Sequence, residues 1–206
     1  MIAQIIINSF VQLAIFSIIP VIWWLFSARK KEKLLPWLGL RLPVFNNKPV
    51  ALATIALAFV LLLVPGIYLL VMFEDTSILA NAMFAGLGFG GIIPILIYSI
   101  VQTGLSEEIF FRGFLNKRLC NKFGFAIGNT IQSILFGLLH GVLLLALDIG
   151  LLFVVLVTVF SLVAGWMMGY INEKLSNGSI FPSWVIHSIK NIVSSALILT
   201  GVVAVL

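Results

Sequence analysis

Six polar side chains stand out in a chain that carries little charge. Their types are those of acid–base and oxyanion chemistry, since carboxylates accept protons, imidazoles hold water and a carboxamide donates hydrogen bonds. Only 9% of the residues are charged and 62% are hydrophobic, so ionisable groups within apolar segments are costly and indicate a functional site. The six residues are Glu107, Glu108, Arg112, His140, His187 and Asn191.

The spacing of these residues assigns them to helix faces. Glu108 and Arg112 are four residues apart, so they share a helix face and can form an ion pair. The same spacing joins His187 with Asn191. Glu107 and Glu108 differ by about 100° around a helix, so they cannot point in one direction and should have different roles.

Apolar stretches long enough to cross a membrane surround these residues, because one span needs roughly 20 apolar residues. The mean hydropathy of +1.21 likewise belongs to membrane proteins rather than to soluble domains. The predicted fold is therefore an all-α, polytopic membrane helix bundle of about six transmembrane helices. We expect the spans at about 2–26, 50–73, 84–119, 125–147, 151–171 and from 182 to the C-terminus.

The distribution of Lys and Arg predicts the orientation of this bundle. The connections that carry basic residues are 27–49, 113–124 and 172–180, and those without them are 74–82 and 148–150. The positive-inside rule places the basic connections in the cytoplasm and both termini outside. An acidic connection at Glu74 and Asp75 and a tight turn at Asp148 and Gly150 then fall on the outer side.

Composition also limits the domain organisation and the partners. No linker interrupts the sequence, so we predict one membrane-embedded domain, 1–206, with two accessory N-terminal helices in 1–75 and a motif-bearing core in 84–206. The net charge of +5 is explained by cytoplasmic loops beside anionic lipid, so no nucleic-acid partner is expected. The single cysteine, Cys120, excludes an internal disulfide and a Cys-rich zinc site.

The polar residues converge at one depth in the predicted bundle. The third and fourth spans form a hairpin that turns near Gly124, with Glu107 17 residues before it and His140 16 residues after it. Residues equidistant from such a turn lie at the same depth, so these two side chains should face each other. At 1.5 Å per residue, Glu107 lies roughly 13 Å and His187 roughly 8–9 Å inside the cytoplasmic edge.

These residues form three motifs that resemble those of a known family. The motifs read Glu107-Glu108-Ile109-Phe110-Phe111-Arg112, Phe136-Gly137-Leu138-Leu139-His140 and His187-Ser188-Ile189-Lys190-Asn191. Their order and spacing resemble the CAAX protease and bacteriocin-processing family, also called CPBP or Abi, which is related to the type II CAAX prenyl endopeptidases. The resemblance covers about residues 94–195, and the first two helices match nothing that we can assign.

The resemblance implies an intramembrane glutamic endopeptidase without a cofactor. Carried over residue by residue, it gives as catalytic residues Glu107, His140, His187 and Asn191, and as supporting residues Glu108, Arg112 and Phe136. Glu107 and His140 would activate water, while His187 and Asn191 would stabilise the oxyanion. The chemistry is reasonable in itself, because a carboxylate shielded from bulk water suits a general base, and imidazole and amide N–H groups suit oxyanion donors.

Three alternatives stay open. Glu107, His140 and His187 could bind zinc as a three-ligand catalytic site, although the His-Glu-x-x-His motif is absent from the sequence. The chain could be a non-enzymatic membrane protein, such as an immunity factor or a regulatory scaffold. It could also be a small transporter with a proton relay, against which the polar cluster has no matching set near the outer face.

The predicted partners are a peptide substrate and the lipid bilayer. The named activity of the family removes the C-terminal residues after a prenylated cysteine, so a prenylated CAAX-type C-terminus is one substrate class. A bacterial setting favours a bacteriocin, a pheromone-like peptide or a membrane protein. We expect a multi-pass protein of the bacterial plasma membrane whose active site faces the cytoplasm. Gln4, Asn8 and Gln12 share one face of the first helix and predict helix packing or a homo-oligomer contact.

Overall fold

The structure is a computed structural model that describes residues 2–72, 77, 79–147 and 149–202. All regular secondary structure in these residues is helical, which confirms the predicted all-α fold. The main helices, numbered in chain order, are α1 Ile2–Ser27, α2 Leu34–Trp37, α3 Lys48–Val71, α4 Gly88–Phe123, α5 Phe125–Leu145, α6 Leu151–Leu175 and α7 Phe181–Leu199. The predicted acidic connection at Glu74 and Asp75 and the turn residue Asp148 lie outside the described residues.

Among the described residues, five helices are long and apolar enough to cross a membrane, namely α1, α3, α4, α5 and α6. The sixth predicted span corresponds to α7, a helix of 19 residues that is not among these five. It carries His187, Lys190 and Asn191 within two turns, which lowers its apolar content. The count of six spans and the outside location of the termini therefore stay predictions.

Two predicted boundaries are corrected by the structure. The third span does not begin near Phe84, which lies in a separate 3₁₀ turn, Ala82–Phe84. Gly86 and Gly88 take positive φ values of 71° and 53°, so the helical winding is interrupted after Phe84 and α4 begins only at Gly88. The fifth span does not end at Ile171, because α6 continues through part of the predicted loop to Leu175.

Much of α4 is wound as a π-helix. The segments Tyr98–Leu105 and Glu108–Asn116 both have this wider winding, which is rare and occurs often at functional sites. The hydroxyl of Thr103 follows the same pattern, since it donates to the carbonyl of Tyr98, five residues earlier, at 3.1 Å. The winding sets the direction in which the polar side chains of α4 leave the helix.

Helices α4, α5 and α6 form two successive antiparallel hairpins. The first turns at Gly124, as predicted, where the backbone has a φ of 80°. The second is closely packed, because a Cβ at Gly137 of α5 would lie 2.6 Å from the carbonyl oxygen of Thr158 on α6. Small residues that let backbones approach in this way are typical of membrane helix pairs.

The first helix packs against α4 within the same chain. The rings of Phe16 and Phe110 meet edge to face at 5.8 Å. Gln102 on α4 donates to the side chain of Gln12 at 3.4 Å, so this part of the predicted polar stripe is an internal helix contact. Gln4 and Asn8 are exposed and hydrogen-bond to each other at 2.9 Å.

Candidate active site

A cavity of about 360 Å³ lies among α3, α4, α5, α6 and α7, within the size range of small-ligand sites. Most of its wall is apolar. Glu107 of α4, His140 of α5, and His187 and Asn191 of α7 all line it. The structure therefore brings together the four residues that the sequence predicts as catalytic, although they lie on three different helices.

Glu107 presents a carboxylate oxygen that lacks a partner in the described part of the chain. The side chain is 14% exposed, and its Oε2 atom is buried without a hydrogen bond. This atom lies 3.8 Å from Nε2 of His187, which is too long for a hydrogen bond. This oxygen is therefore a hydrogen-bond acceptor that no described residue uses.

Glu108 lies in a closed network beneath the cavity. Its Oε1 atom accepts from Nδ1 of His187 at 3.2 Å and pairs with Nη1 of Arg112 at 3.3 Å. Its Oε2 atom accepts from the hydroxyl of Ser183, which itself accepts from Nδ2 of Asn172 at 2.6 Å. Both carboxylate oxygens are thus engaged by neighbours, so Glu108 orients the imidazole of His187 and is not open to a substrate.

Phe136 connects the buried ion pair with both imidazoles. The guanidinium carbon of Arg112 lies 4.0 Å from the centroid of its ring. The ring centroids of His140 and His187 lie 4.5 Å and 6.4 Å away. Phe111 packs edge to face against it at 5.0 Å. Because Phe136 is 3% exposed and held on all these sides, it fixes the relative positions of the two histidines.

His140 is oriented by its own helix. Its Nδ1 atom lies 2.9 Å from the backbone carbonyl of Phe136. A carbonyl oxygen can only accept, so Nδ1 carries the hydrogen and Nε2 of the neutral ring keeps its lone pair. None of the described hydrogen bonds or ion pairs joins His140 to Glu107. The two groups predicted to hold water therefore line the same cavity without a direct hydrogen bond between them in the described residues.

Asn191 is positioned by the π-helical part of α4. Its Nδ2 atom donates to the hydroxyl of Thr103 at 2.9 Å. A carboxamide has two N–H hydrogens, so one is used to fix the side chain and the other stays available to an oxygen in the cavity. Asn191 and His187 lie on the same face of α7, as their spacing predicts.

The cavity extends from the polar cluster in one direction only. Its remote part is lined by Leu70 of α3, by Leu79, Ala80 and Asn81 of the connection after α3, by Leu147 after α5 and by Phe153 of α6. No lining residue comes from 108–135 or 171–185, which flank two of the basic connections. The cavity thus leads toward the connections that lack Lys and Arg.

A layer of fully buried polar side chains fills the bundle on the other side of the cluster. This buried polar layer consists of Glu108, Arg112, Asn116, Asn129, Gln132, Asn172 and Ser183, all 0% exposed. Beyond it, Lys117 pairs with Glu173 at 2.7 Å, and the backbone N–H of Ile180 donates to the carbonyl of Gly39 at 3.0 Å. The layer separates the cavity from the basic end of the bundle.

Four polar residues of the site carry no role in the sequence analysis: Thr103, Asn172, Ser183 and Lys190. Ser183 precedes His187 by four residues, so the helix-face argument applied to Asn191 would also have found it. Thr103 and Asn172 carry no comparable signal, because their contacts depend on how separate helices pack. Lys190 lies within the third motif and lines the cavity.

The residues of the zinc alternative share the cavity but are not grouped as metal ligands. Within the described ranges, no cluster of three or more His, Cys, Asp or Glu side chains is arranged to hold a metal ion. Nδ1 of His187 is engaged by Glu108, and Nδ1 of His140 by a backbone carbonyl. The zinc alternative stays a prediction to be tested on the protein.

Comparison with known families identifies the part of the chain that carries the site. A family model described as Type II CAAX prenyl endopeptidase Rce1-like matches residues 89–193, slightly more than half of the chain. The matched range extends from the beginning of α4 into α7 and contains every predicted site residue. No curated protein and no solved structure matches the chain.

Proposed function

The chain belongs to the Type II CAAX prenyl endopeptidase Rce1-like family, and on this premise we propose that it hydrolyses a peptide bond with water activated by Glu107 and His140. Membership indicates an intramembrane protease, and the long apolar helices make the chain an integral membrane protein. The observation that carries the proposed mechanism is Glu107, which lines the cavity and whose Oε2 atom is buried without a hydrogen-bond partner in the described residues.

Glu107 acts as the general base. Water held by its carboxylate and by the Nε2 lone pair of His140 attacks the carbonyl carbon of the scissile bond, and one proton passes to Glu107. That proton then moves to the amide nitrogen as the C–N bond breaks, which leaves a carboxylic acid and an amine. A positioned base of this kind contributes about 10²- to 10⁴-fold to the rate.

His187 and Asn191 stabilise the tetrahedral oxyanion. Glu108 accepts from Nδ1 of His187 at 3.2 Å and so orients the ring, and the protonated form of His187 donates its Nε2–H to the oxyanion. Asn191 contributes the amide hydrogen that is not used by Thr103. Both donors are fixed before the substrate arrives, which is the condition for effective oxyanion stabilisation.

Two substrate classes are proposed for this site. One is a prenylated CAAX-type C-terminus, which the family description names. The other, favoured in a bacterial plasma membrane, is a bacteriocin-like or pheromone-like peptide or a membrane protein. A mostly apolar cavity supports both, because a prenyl group and a hydrophobic leader segment both present apolar surface.

A cleavage assay with purified protein tests the proposal. Prenylated CAAX peptides and unmodified leader peptides are incubated with the wild type and with Glu107→Ala, and the products are identified by mass. We expect one class to be cut by the wild type and the rate to fall by at least about 100-fold in the variant. Equal product formation by both proteins would refute the mechanism, and no cleavage of either class would refute the proposed activity for these substrates.

The same assay separates the metal-free mechanism from the zinc alternative. Chelation should leave cleavage unchanged if Glu107 and His140 activate water without a metal. Full loss on chelation with rescue by added zinc would favour the three-ligand site instead.

The route of the substrate follows from the direction of the cavity. The buried polar layer separates the cluster from the basic end, so we propose that substrates enter from the end that carries 79–81 and 149–150. Under the positive-inside rule this end is not cytoplasmic. The predicted cytoplasmic access and the predicted orientation therefore cannot both hold with this route, because cytoplasmic access would require the basic end to lie outside.

A further inference from the structure

Three segments of the described chain are wound as π-helices, two within α4 and one at the end of α6. The two in α4 supply Thr103, which accepts from Asn191, and Glu108, which accepts from His187. The third carries Asn172. Such winding is rare and occurs often at functional sites. Asn172 thus lies in the same kind of segment as the two residues that hold the proposed oxyanion donors.

Asn172 reaches the site through a chain of hydrogen bonds. It lies in the π-wound segment Ile171–Leu175, and its Nδ2 atom donates to the hydroxyl oxygen of Ser183 at 2.6 Å. The hydroxyl of Ser183 donates to Oε2 of Glu108, whose Oε1 atom accepts from Nδ1 of His187 at 3.2 Å. The chain therefore runs from α6 to α7, across to α4 and back to α7.

This chain is closed to bulk solvent. Asn172, Ser183 and Glu108 are 0% exposed. The hydroxyl of Ser183 also lies 3.0 Å from the carbonyl of Ile180, but it has one hydrogen, and the charged carboxylate is the stronger acceptor. At such burial a lost partner is not replaced by bulk water, so a change at one member of the chain alters the contacts of the next.

The bond from Ser183 fixes the direction in which the carboxylate of Glu108 faces. The Oε1 atom of this carboxylate serves both His187 and Arg112, whose Nη1 atom lies 3.3 Å away. A guanidinium favours an arrangement in which it binds both oxygens of a carboxylate. Without Ser183 on Oε2, the carboxylate would be free to turn toward Arg112 and release the imidazole.

We propose that Asn172 and Ser183 are positioning residues, which act through Glu108 to hold His187 as an oxyanion donor. This assignment rests on the proposed peptidase function. Neither residue lines the cavity, so neither touches the substrate. An oxyanion donor acts in the transition state and not on the bound substrate, so loss of its orientation lowers kcat and leaves KM unchanged.

Cleavage kinetics of the purified full-length protein test this role. Ser183→Ala should lower kcat by about 10-fold or more, because it removes a hydrogen bond to a charged group. Asn172→Ala removes a neutral hydrogen bond and should lower kcat by about 5-fold. Ser188→Ala is the matched control, since Ser188 is 6% exposed on the same helix and its hydroxyl has no hydrogen-bond partner in the described residues.

A double variant tests whether the two residues act in series. If Asn172 acts only through Ser183, the variant that carries both Asn172→Ala and Ser183→Ala should be no slower than Ser183→Ala alone. Losses that multiply in the double variant would show independent effects and would reject the chain.

Histidine-selective ¹⁵N NMR measures the orientation of His187 without any cleavage. The sequence contains two histidines, and His140→Gln assigns their signals. In the wild type, Nδ1 of His187 should have the chemical shift of a protonated nitrogen. In Ser183→Ala this signal should shift toward that of an unprotonated nitrogen, while His140, whose Nδ1 donates to the carbonyl of Phe136, should keep its shift.

The outcomes separate this inference from the proposed function. An unchanged kcat in Ser183→Ala, or an equal loss in Ser188→Ala, would overturn the positioning role and leave the peptidase intact. If the wild type cuts no substrate, the proposed function fails and the NMR signals decide, because an unchanged His187 in Ser183→Ala would overturn the positioning as well. If Ser183→Ala does not fold, the kcat and the His187 signal of Asn172→Ala decide in the same way.

Discussion

Glu107 and Glu108 are neighbours in the chain but have opposite surroundings. Both oxygens of Glu108 are engaged, by Arg112 and His187 on one side and by Ser183 on the other. Glu107 keeps one oxygen without a hydrogen-bond partner in the described structure, and its side chain lines the cavity. The division of roles between a supporting and a reacting carboxylate therefore has a basis in their contacts as well as in the family resemblance.

Neutralising each glutamate separately should affect different properties. Glu107→Gln removes the base, so cleavage should fall by at least about 100-fold while thermal stability in detergent changes little. Glu108→Gln leaves Arg112 as an uncompensated buried charge, which should lower the free energy of unfolding by about 3–5 kcal/mol. Peptide cleavage and thermal unfolding of both variants check the two expectations. If Glu107→Gln proved unstable and Glu108→Gln proved stable but inactive, Glu108 would be the base and Glu107 the structural partner of Arg112.

Phe136 takes no part in the proposed chemistry, but its contacts predict that substituting it will slow catalysis. Its ring touches Arg112 and both histidine rings. Phe136→Leu keeps the site apolar but removes the flat surface that spaces these groups, so kcat should fall by about 10- to 100-fold with little change in KM.

Steady-state kinetics of Phe136→Leu should be compared with those of Phe123→Leu. The control side chain is 44% exposed at the end of α4 and lies far from the cavity lining. An equal loss of kcat in the two variants would show that the effect is not specific to the site.

The helices position the site through winding and close contact. The π-helical segments of α4 set the directions of Thr103 and Glu108, and the hydroxyl of Thr103 fixes Asn191 across the cavity. Close packing of α5 on α6 at Gly137 holds His140 one turn further along α5. The predicted division into two accessory helices and a motif-bearing core stays a prediction, and α1 packs on α4 through Phe16.

Substituting Gly137 with alanine should separate α5 from α6. The new Cβ would lie 2.6 Å from a backbone carbonyl, so the helices must shift. We expect a loss of about 1–3 kcal/mol in the free energy of unfolding and a fall in cleavage, since His140 would move with α5. Gly90→Ala is the matched control because a Cβ at Gly90 has no neighbour within 4 Å. Similar destabilisation of both variants in detergent unfolding would contradict close packing at Gly137.

At the scale of the whole molecule, the site divides the bundle into an open and a closed half. The closed half contains the buried polar layer and ends at the basic connections, where Lys117 and Glu173 pair. The open half contains the cavity and ends at the connections without basic residues. Substrate access and membrane orientation are therefore linked, and one experiment can measure both.

Cysteine labelling in intact cells tests this arrangement. In a Cys120→Ser background, a single cysteine replaces Asn81 at the open end or Lys122 at the closed end, and cells are treated with a membrane-impermeant maleimide. If the basic end is cytoplasmic, we expect labelling at position 81 in intact cells and at position 122 only after lysis. A bulky label at position 81 should slow cleavage, because Asn81 lines the cavity.

Labelling at position 122 in intact cells would instead place the basic end outside and the cavity toward the cytoplasm, as the sequence predicts for the active site. The proposed route would be contradicted in either orientation if a label at position 122 blocks cleavage and a label at position 81 does not.

The candidate catalytic residues were accessible to sequence reasoning because helix geometry is local. The spacing of four residues predicted the pairing of Glu108 with Arg112, and the turn at Gly124 predicted that α4 and α5 form an antiparallel hairpin. The length of the apolar stretches predicted an all-α membrane bundle, since about 20 apolar residues cross lipid as a helix whose backbone hydrogen bonds are satisfied within the segment.

Tertiary structure decided what depends on contacts between helices. The engagement of His187 by Glu108, the support of Asn191 by Thr103 and the position of Lys190 in the cavity follow from the rotation of each helix about its axis. That rotation is set by packing, such as the contact at Gly137, and by the π-winding of α4, neither of which a periodic pattern records. For the same reason the sequence determined which side chains could form a site, while only the packed bundle decided which end of it is open.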